Sequence, residues 1–365
     1  MTGTPILDGH TDVLLDVHGS RSGDRSFSER SAEGHVDLAR LREGNVAAAF
    51  FASFVPTPDG GAGGGSGDTG NGDVSEGGAV GRADETDDRE PTKLPKRVDH
   101  DVARRETGRM LDLLDRWADG IDGFRLVGDA ADLDACLAGD VVGAVPHLEG
   151  AEAIAPDLSN LDALYERGVR SVGLCWSRPN AFGHGVPLVH DASPDMGPGL
   201  TDAGERLVRA CGERGVVVDC AHLNAAGFGD VARVSDAPLV VSHGAAHAVS
   251  PAARNLTDDQ LRAVADSGGV VGLTFAVSQL RPDGENDPGT PLSVLVDHLD
   301  HVVDVMGPEH VALGSDLDGT TVPDTVGDAS GLPRVLDALR DRGWSERTVE
   351  RVAHGNWARI LRETL

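Results

Sequence analysis

Eight short apolar runs, separated by stretches of helical spacing, limit the fold of this chain more than any other feature. They lie at 5–9, 46–55, 141–148, 169–175, 216–221, 238–242, 269–275 and 311–315. Apolar residues at consecutive rather than alternate positions suit strands covered on both faces, as in a parallel sheet. Between them, 102–117, 158–167, 201–214, 257–267 and 291–306 read as helices. Thr201 and Thr257 each stand where a helix should begin, and Thr257-Asp258-Asp259-Gln260 has the spacing of a capping box. Eight strands alternating with helices in 365 residues predict a single α/β domain, a (β/α)8 barrel of the TIM type. A doubly wound open sheet is the competing arrangement. What separates the two is where the polar residues fall.

One segment breaks the alternation. Residues 59–90 hold nine acidic residues, only Arg82 and Arg89 as counter-charges, and a glycine-dense run from Gly60 to Gly81. So little apolar content cannot offset the entropy of ordering, so 59–90 is expected to be a disordered insertion in the barrel. The Gly63-Gly64-Gly65 pattern within it lacks the flanking strand and helix of a phosphate cradle.

The acidity extends beyond that segment. The formal net charge is −28, and Lys93 and Lys96 are the two lysines, the other basic residues being arginines. Such a balance argues against nucleic acid or an anionic membrane as partner, because both need clustered basic groups. Acids spread along the whole chain are read as a solvating coat suited to concentrated salt, hence a halophilic protein. The alternative is a face for a cationic partner. No apolar run reaches the 18 residues of a spanning helix, and no secretory signal is visible, so a cytoplasmic location is expected. Cys136, Cys175, Cys211 and Cys220 lack CxxC spacing and read as buried thiols.

The residues that close the apolar runs carry the chemistry. The first run leads into His10-Thr11-Asp12, the third into His147-Leu148-Glu149-Gly150, and the fourth into Trp176. The fifth leads into Asp219-Cys220-Ala221-His222, the sixth into Ser242-His243, and the last into Ser315-Asp316-Leu317-Asp318-Gly319. In a barrel, the carboxyl ends of the strands form the rim on which active sites are built. His10 and Asp12, two apart on an extended chain, point to one side and can share a cation. Imidazole and carboxylate together suit zinc. His10, His222 and His243 with Asp12 and Glu149 exceed one tetrahedral site, but fit two metals that share a carboxylate. The remaining histidines, His190 among them, read as surface or core residues, and His147 as a candidate for the layer behind the ligands.

Taken in order, these pieces resemble the renal-type membrane dipeptidases, a zinc peptidase family. The matching motifs are Asp8-Gly9-His10-Thr11-Asp12, His147-Leu148-Glu149-Gly150, Val218-Asp219-Cys220-Ala221-His222, Val241-Ser242-His243, Ala253-Arg254-Asn255-Leu256 and Gly314-Ser315-Asp316-Leu317-Asp318-Gly319. The resemblance covers nearly the whole chain apart from 59–90. It implies two Zn2+ ions, one held by His10, Asp12 and Glu149, the other by His222, His243 and the same bridging Glu149. It implies hydrolysis of a small dipeptide by a hydroxide bridging the metals, with Asp316 as acid/base and Arg254 on the substrate's free carboxylate. The family often forms dimers, so a homodimer is admitted.

One departure bears on substrate choice. The mammalian members carry a histidine near the reacting carbonyl where this chain has Trp176, whose indole donates a single hydrogen bond. Asn180, in the segment that follows, is a candidate substitute, as is His184. Alternatives at this point are a dizinc amidohydrolase acting on N-acyl or D-amino-acid amides, and a metal-dependent barrel that is not a peptidase.

Overall fold

The structure, a computed structural model, describes residues 3–19, 25–57, 94–139 and 141–365, so the insertion expected at 59–90 lies outside the described residues. Nine parallel strands form the sheet: β1 (Ile6–Thr11), β2 (Val46–Phe54), β3 (Phe124–Leu126), β4 (Val142–Glu149), β5 (Ser171–Gly173), β6 (Val217–Asp219), β7 (Val240–Gly244), β8 (Val270–Leu273) and β9 (Val311–Leu313). Pairing of β2 with β4, and of β1 with both β2 and β9, closes eight of them into a barrel. The competing open sheet is thereby excluded. All eight apolar runs of the sequence are barrel strands.

The ninth strand, β3, has no counterpart among those runs. It pairs with β4 at Phe124↔Val142, while β5 pairs further along at His147↔Ser171. Three residues reading Phe-Arg-Leu carry too short an apolar signal to be found from sequence. Full burial of β1, β2 and β4 follows from the architecture, since one face meets the barrel interior and the other the surrounding helices.

Helix starts follow their predicted caps. Thr201 accepts from the backbone of Gly204 at the head of Asp202–Glu213. Thr257 and Gln260 form the complete capping box of Asp258–Asp266, which satisfies two orphan donors at once. The C-terminal helix Asn356–Thr364 sends Trp357 under the barrel. Its indole donates to the Leu313 carbonyl at 2.8 Å and its ring lies 4.9 Å from that of Phe50. Gly9 is required where β1 passes this plug, because a Cβ there would stand 2.3 Å from the Ser242 carbonyl oxygen and 2.5 Å from the Trp357 ring.

Barrel closure joins the two ends of the sequence. Asp8 takes the backbone N–H of Ser315 at 2.7 Å and also its hydroxyl. Beyond the strands, Asp12 donates its N–H to the Leu317 carbonyl at 2.9 Å, and the Thr11 hydroxyl donates to the same carbonyl at 3.1 Å across 306 residues of sequence.

Candidate metal centre

The closed barrel gathers the strand-end residues at its carboxyl rim. His10, Asp12, Glu149, His222, His243 and Asp316 are all buried. They group as three overlapping sets, each with its donor atoms within 4.8 Å of one another: His10 with Asp12 and Glu149, Glu149 with His222 and His243, and His10 with His243 and Asp316. Glu149 occupies the middle. Its Oε1 lies 3.0 Å from His222 Nε2 and 3.9 Å from His243 Nε2, and its Oε2 lies 3.7 Å from His10 Nε2. His10 Nε2 is 3.5 Å from Asp12 Oδ2.

This donor set fits divalent cations. Both ring nitrogens of His10 and Oδ1 of Asp12 are buried without a hydrogen-bond partner among the described residues, which is costly for groups with nothing to bind. The Nε2 atoms of His222 and His243 face each other at 3.1 Å, an approach that suits two lone pairs aimed at a common cation. Behind His243, Nδ1 meets the Ser242 hydroxyl at 2.9 Å, and that hydroxyl donates to Asp219 Oδ2 at 2.6 Å. The chain fixes the ring with its proton on Nδ1 and Nε2 free to ligate. Behind His222, Nδ1 meets the Ser177 hydroxyl at 2.8 Å.

Electrostatics agree. Burial, then the neighbouring Asp12, holds the Glu149 carboxyl well above its usual range. Burial likewise raises Asp316 to about 7, with Asp12 adding and His10 and Arg254 opposing. For His10, burial pulls the imidazolium down, but Glu149, Asp12 and Asp316 outweigh it and the ring rises to about 10. Burial and the cationic neighbours Arg254 and His10 press His222 and His243 well below the ordinary histidine value. The crowded carboxylates thus hold His10 as a cation while His222 and His243 stay neutral, and a divalent cation bound there would take the place of the His10 proton.

The turns that carry these groups have unusual backbone. His222, Asp316 and Asp318 have φ values of 64°, 61° and 68°. Such left-handed geometry costs on the order of 1 kcal/mol or more for a non-glycine residue and persists only where its surroundings enforce it. Around Asp318 the enforcement is visible: its Oδ2 accepts from Arg25 Nη2 at 2.8 Å, its N–H donates to His35 Nδ1 at 3.0 Å, and its Oδ1 takes the His35 N–H. Gly319 then lets the carboxylates converge, since a Cβ there would stand 2.1 Å from Asp12 Oδ2 and 2.3 Å from Asp316 Oδ1.

The group opens into a cavity of about 320 Å³ lined in part by Asp12, Glu149, His222, His243, Arg254 and Asp316. Arg254 sets its Nε 3.2 Å from His222 Nδ1 and donates through Nη2 to the His243 carbonyl at 2.8 Å. Trp176 lines the same cavity and packs with Leu15 and Phe54 as an apolar wall. Beneath it, the fully buried Arg178 is held by Glu152 Oε1 at 2.8 Å and lies 5.3 Å from the indole centre.

Asn180 is placed elsewhere. Its amide donates to the Leu174 carbonyl at 2.7 Å and accepts from the Phe182 backbone at 2.8 Å. It knits its own loop, and the cavity lining does not include it. His147 stands behind the ligands, with Nδ1 2.9 Å from the Ser171 hydroxyl and Nε2 3.6 Å from Asp219 Oδ2. His190, set aside in the sequence, lines the cavity together with Gln279. His190 sits in a loop and Gln279 in the short helix Val277–Leu280 that follows β8, and no local spacing marks either.

Among the described residues, no helix is long and apolar enough to cross a membrane. The chain is similar to a solved dipeptidase AC, a metallopeptidase, with 38% identity and a TM-score of 0.87, covering 99% of each chain. The same identity, TM-score and coverage relate it to a metallopeptidase from Rhodobacter sphaeroides, solved with a phosphinate mimic of the dipeptide L-Ala-D-Ala. Dipeptidase 3 of Mus musculus is 26% identical over 375 residues, spanning 100% of this chain and 65% of the mouse protein. The family profile of the membrane dipeptidases, peptidase family M19, matches residues 1–365, and the chain belongs to that family.

Proposed function

We propose that this protein is a metal-dependent dipeptidase that holds two zinc ions at the barrel rim and works in a salt-rich cytoplasm. The observation that carries the reading is the convergence of the two ligand triads on Glu149, within a cavity that also presents Asp316 and Arg254. A volume of about 320 Å³ is of the size that takes a dipeptide. The Rhodobacter relative, solved with a phosphinate dipeptide mimic, supports a substrate of that size.

His10 and Asp12 would hold one cation, His222 and His243 the other, and Glu149 would bridge them. Bound there, the pair supplies acidification of water and withdrawal of electron density from the scissile carbonyl. Asp316, buried beside both ligand triads, is placed to take a proton from the attacking water and return it to the departing amine. Arg254 would hold the substrate's terminal carboxylate and so set the register of the peptide bond over Glu149. Trp176, with Phe54 and Leu15, would shield the reacting carbonyl from bulk water.

The test is hydrolysis of simple dipeptides by protein stripped with a chelator and reloaded with Zn2+, Mn2+ or Co2+. The reading expects turnover to vanish on stripping and return on reloading. Activity indifferent to the chelator, or confined to N-acyl amino acids, would overturn it.

A further inference from the structure

We infer that His190 and Gln279 form a polar subsite which, together with Arg254, grips the carboxylate of the substrate's C-terminal residue. The inference rests on the dipeptidase reading above and extends it to two residues outside the family motifs.

Both side chains line the cavity. His190 Nε2 and Gln279 Oε1 are each buried without a hydrogen-bond partner among the described residues. Two such atoms in one wall, away from the metal ligands, mark a place built to meet a polar ligand, since an unpaired buried polar group is a standing cost. The carboxamide can present either its oxygen or its nitrogen by rotation about its last bond. The imidazole meets the cavity through Nε2, which donates in the tautomer that carries the proton there; Nδ1 lies 3.5 Å from Asp191 Oδ1, too long for a hydrogen bond.

The loop that carries His190 and the short helix that carries Gln279 are tied to the Arg254 segment on both sides. The N–H of Ala253 donates to the Val189 carbonyl at 2.9 Å, which places His190 and Arg254 next to that link. The side chain of Asn255 donates to the Gln279 carbonyl at 2.8 Å. His190, Arg254 and Gln279 therefore belong to one hydrogen-bonded wall. Arg254 itself has Nε and Nη2 engaged with His222 and His243, so alone it offers a carboxylate one remaining edge. Two carboxylate oxygens accept several bonds, and the two neighbours supply the missing donors. The His190 ring is also fixed in place: it lies against Gly284, where a Cβ would stand 2.6 Å from the ring carbon and the backbone has φ +71°.

The experiment measures KM and kcat of the zinc-loaded protein for Ala-Ala and Ala-Asp, in the wild type and in His190→Ala, His190→Gln, Gln279→Ala, Gln279→Glu and Gly284→Ala. Loss of one hydrogen bond to a charged group should raise KM roughly tenfold for each alanine variant, with the change falling on KM rather than kcat. His190→Gln should recover part of the loss, and Gln279→Glu, which sets a like charge against the carboxylate, should exceed Gln279→Ala. Gly284→Ala should reproduce the His190 effect by displacing the ring. Both dipeptides should respond alike, since they share the terminal carboxylate. Unchanged KM in the alanine variants, when the wild type hydrolyses both dipeptides, overturns this inference and leaves the dipeptidase reading standing. So does a response confined to Ala-Asp, or a gain in affinity from Gln279→Glu. A wild type that hydrolyses neither dipeptide overturns both readings.

Discussion

Glu149 Oε1 and His222 Nε2 stand 3.0 Å apart, while the other Glu149 oxygen faces His10. One carboxylate thus belongs to both ligand groups. Elemental analysis of the purified protein should give about two zinc per chain, as two adjacent sites sharing a carboxylate require. Glu149→Ala should lose both ions, and a full complement in that variant would falsify the bridging assignment.

Asp316 is close to the ligands, but its expected task is proton transfer. Asp316→Asn should retain the metal and lower kcat by roughly 10²- to 10⁴-fold, the usual worth of a positioned acid/base. Unaltered kcat with full metal content would remove Asp316 from the chemistry.

The role of Arg254 can be read from the substrate side. Amidation of a dipeptide's C-terminus should lower kcat/KM in the wild type by roughly 10- to 100-fold, the worth of a charge-assisted contact. Arg254→Ala should show little further discrimination between acid and amide. Equal wild-type rates on both would end the assignment.

The acidic coat predicts a dependence on solvent. With a net charge of −28, self-repulsion is strong in dilute buffer and is screened in molar salt. Activity and thermal midpoint should both rise as NaCl increases toward molar concentrations. An optimum in dilute buffer would contradict the halophilic reading.

His298 gives a pH prediction remote from the metal centre. Its Nδ1 accepts from the Ala246 N–H at 3.1 Å and its Nε2 meets the Leu280 carbonyl at 2.8 Å. Burial pushes the ring from 6.5 down to about 4, against the opposing bond to Leu280. Between those values the unfolded chain binds the extra proton and the folded one does not. Stability is therefore full above the unfolded value and falls as pH drops toward 4, by about 3 kcal/mol from this group. Urea unfolding at pH 7 and pH 4.5 checks it: His298→Gln should show a shallower pH slope, and an identical slope would refute the assignment.

The barrel was legible because parallel strands covered on both faces must be continuously apolar, which singles out every closing strand. The ligands were legible because each ends such a run. Other features left no local trace. Strand β3 is three residues with an arginine at its centre. The support behind His243 passes through Ser242 to Asp219 on a neighbouring strand, and no spacing in the sequence encodes that register. A polar residue after a strand end, such as Asn180, looks the same in the sequence whether it faces a ligand or its own loop. His190 and Gln279 come to the cavity on segments that are hydrogen-bonded to the neighbours of Arg254.

The meeting of Asp12 with Leu317, and of Asp8 with Ser315, bears on how the protein is made. The segment that carries His10 and Asp12 waits for its partners across the closing seam while some 306 further residues are made. At typical rates of synthesis that interval is roughly fifteen seconds to a minute. Until β9 is laid against β1, the five candidate ligands have all been made, but Asp316 is not yet beside them. Cleavage of dipeptides is therefore expected only once the barrel is complete, and a copy that stops short of Asp316 should be inert.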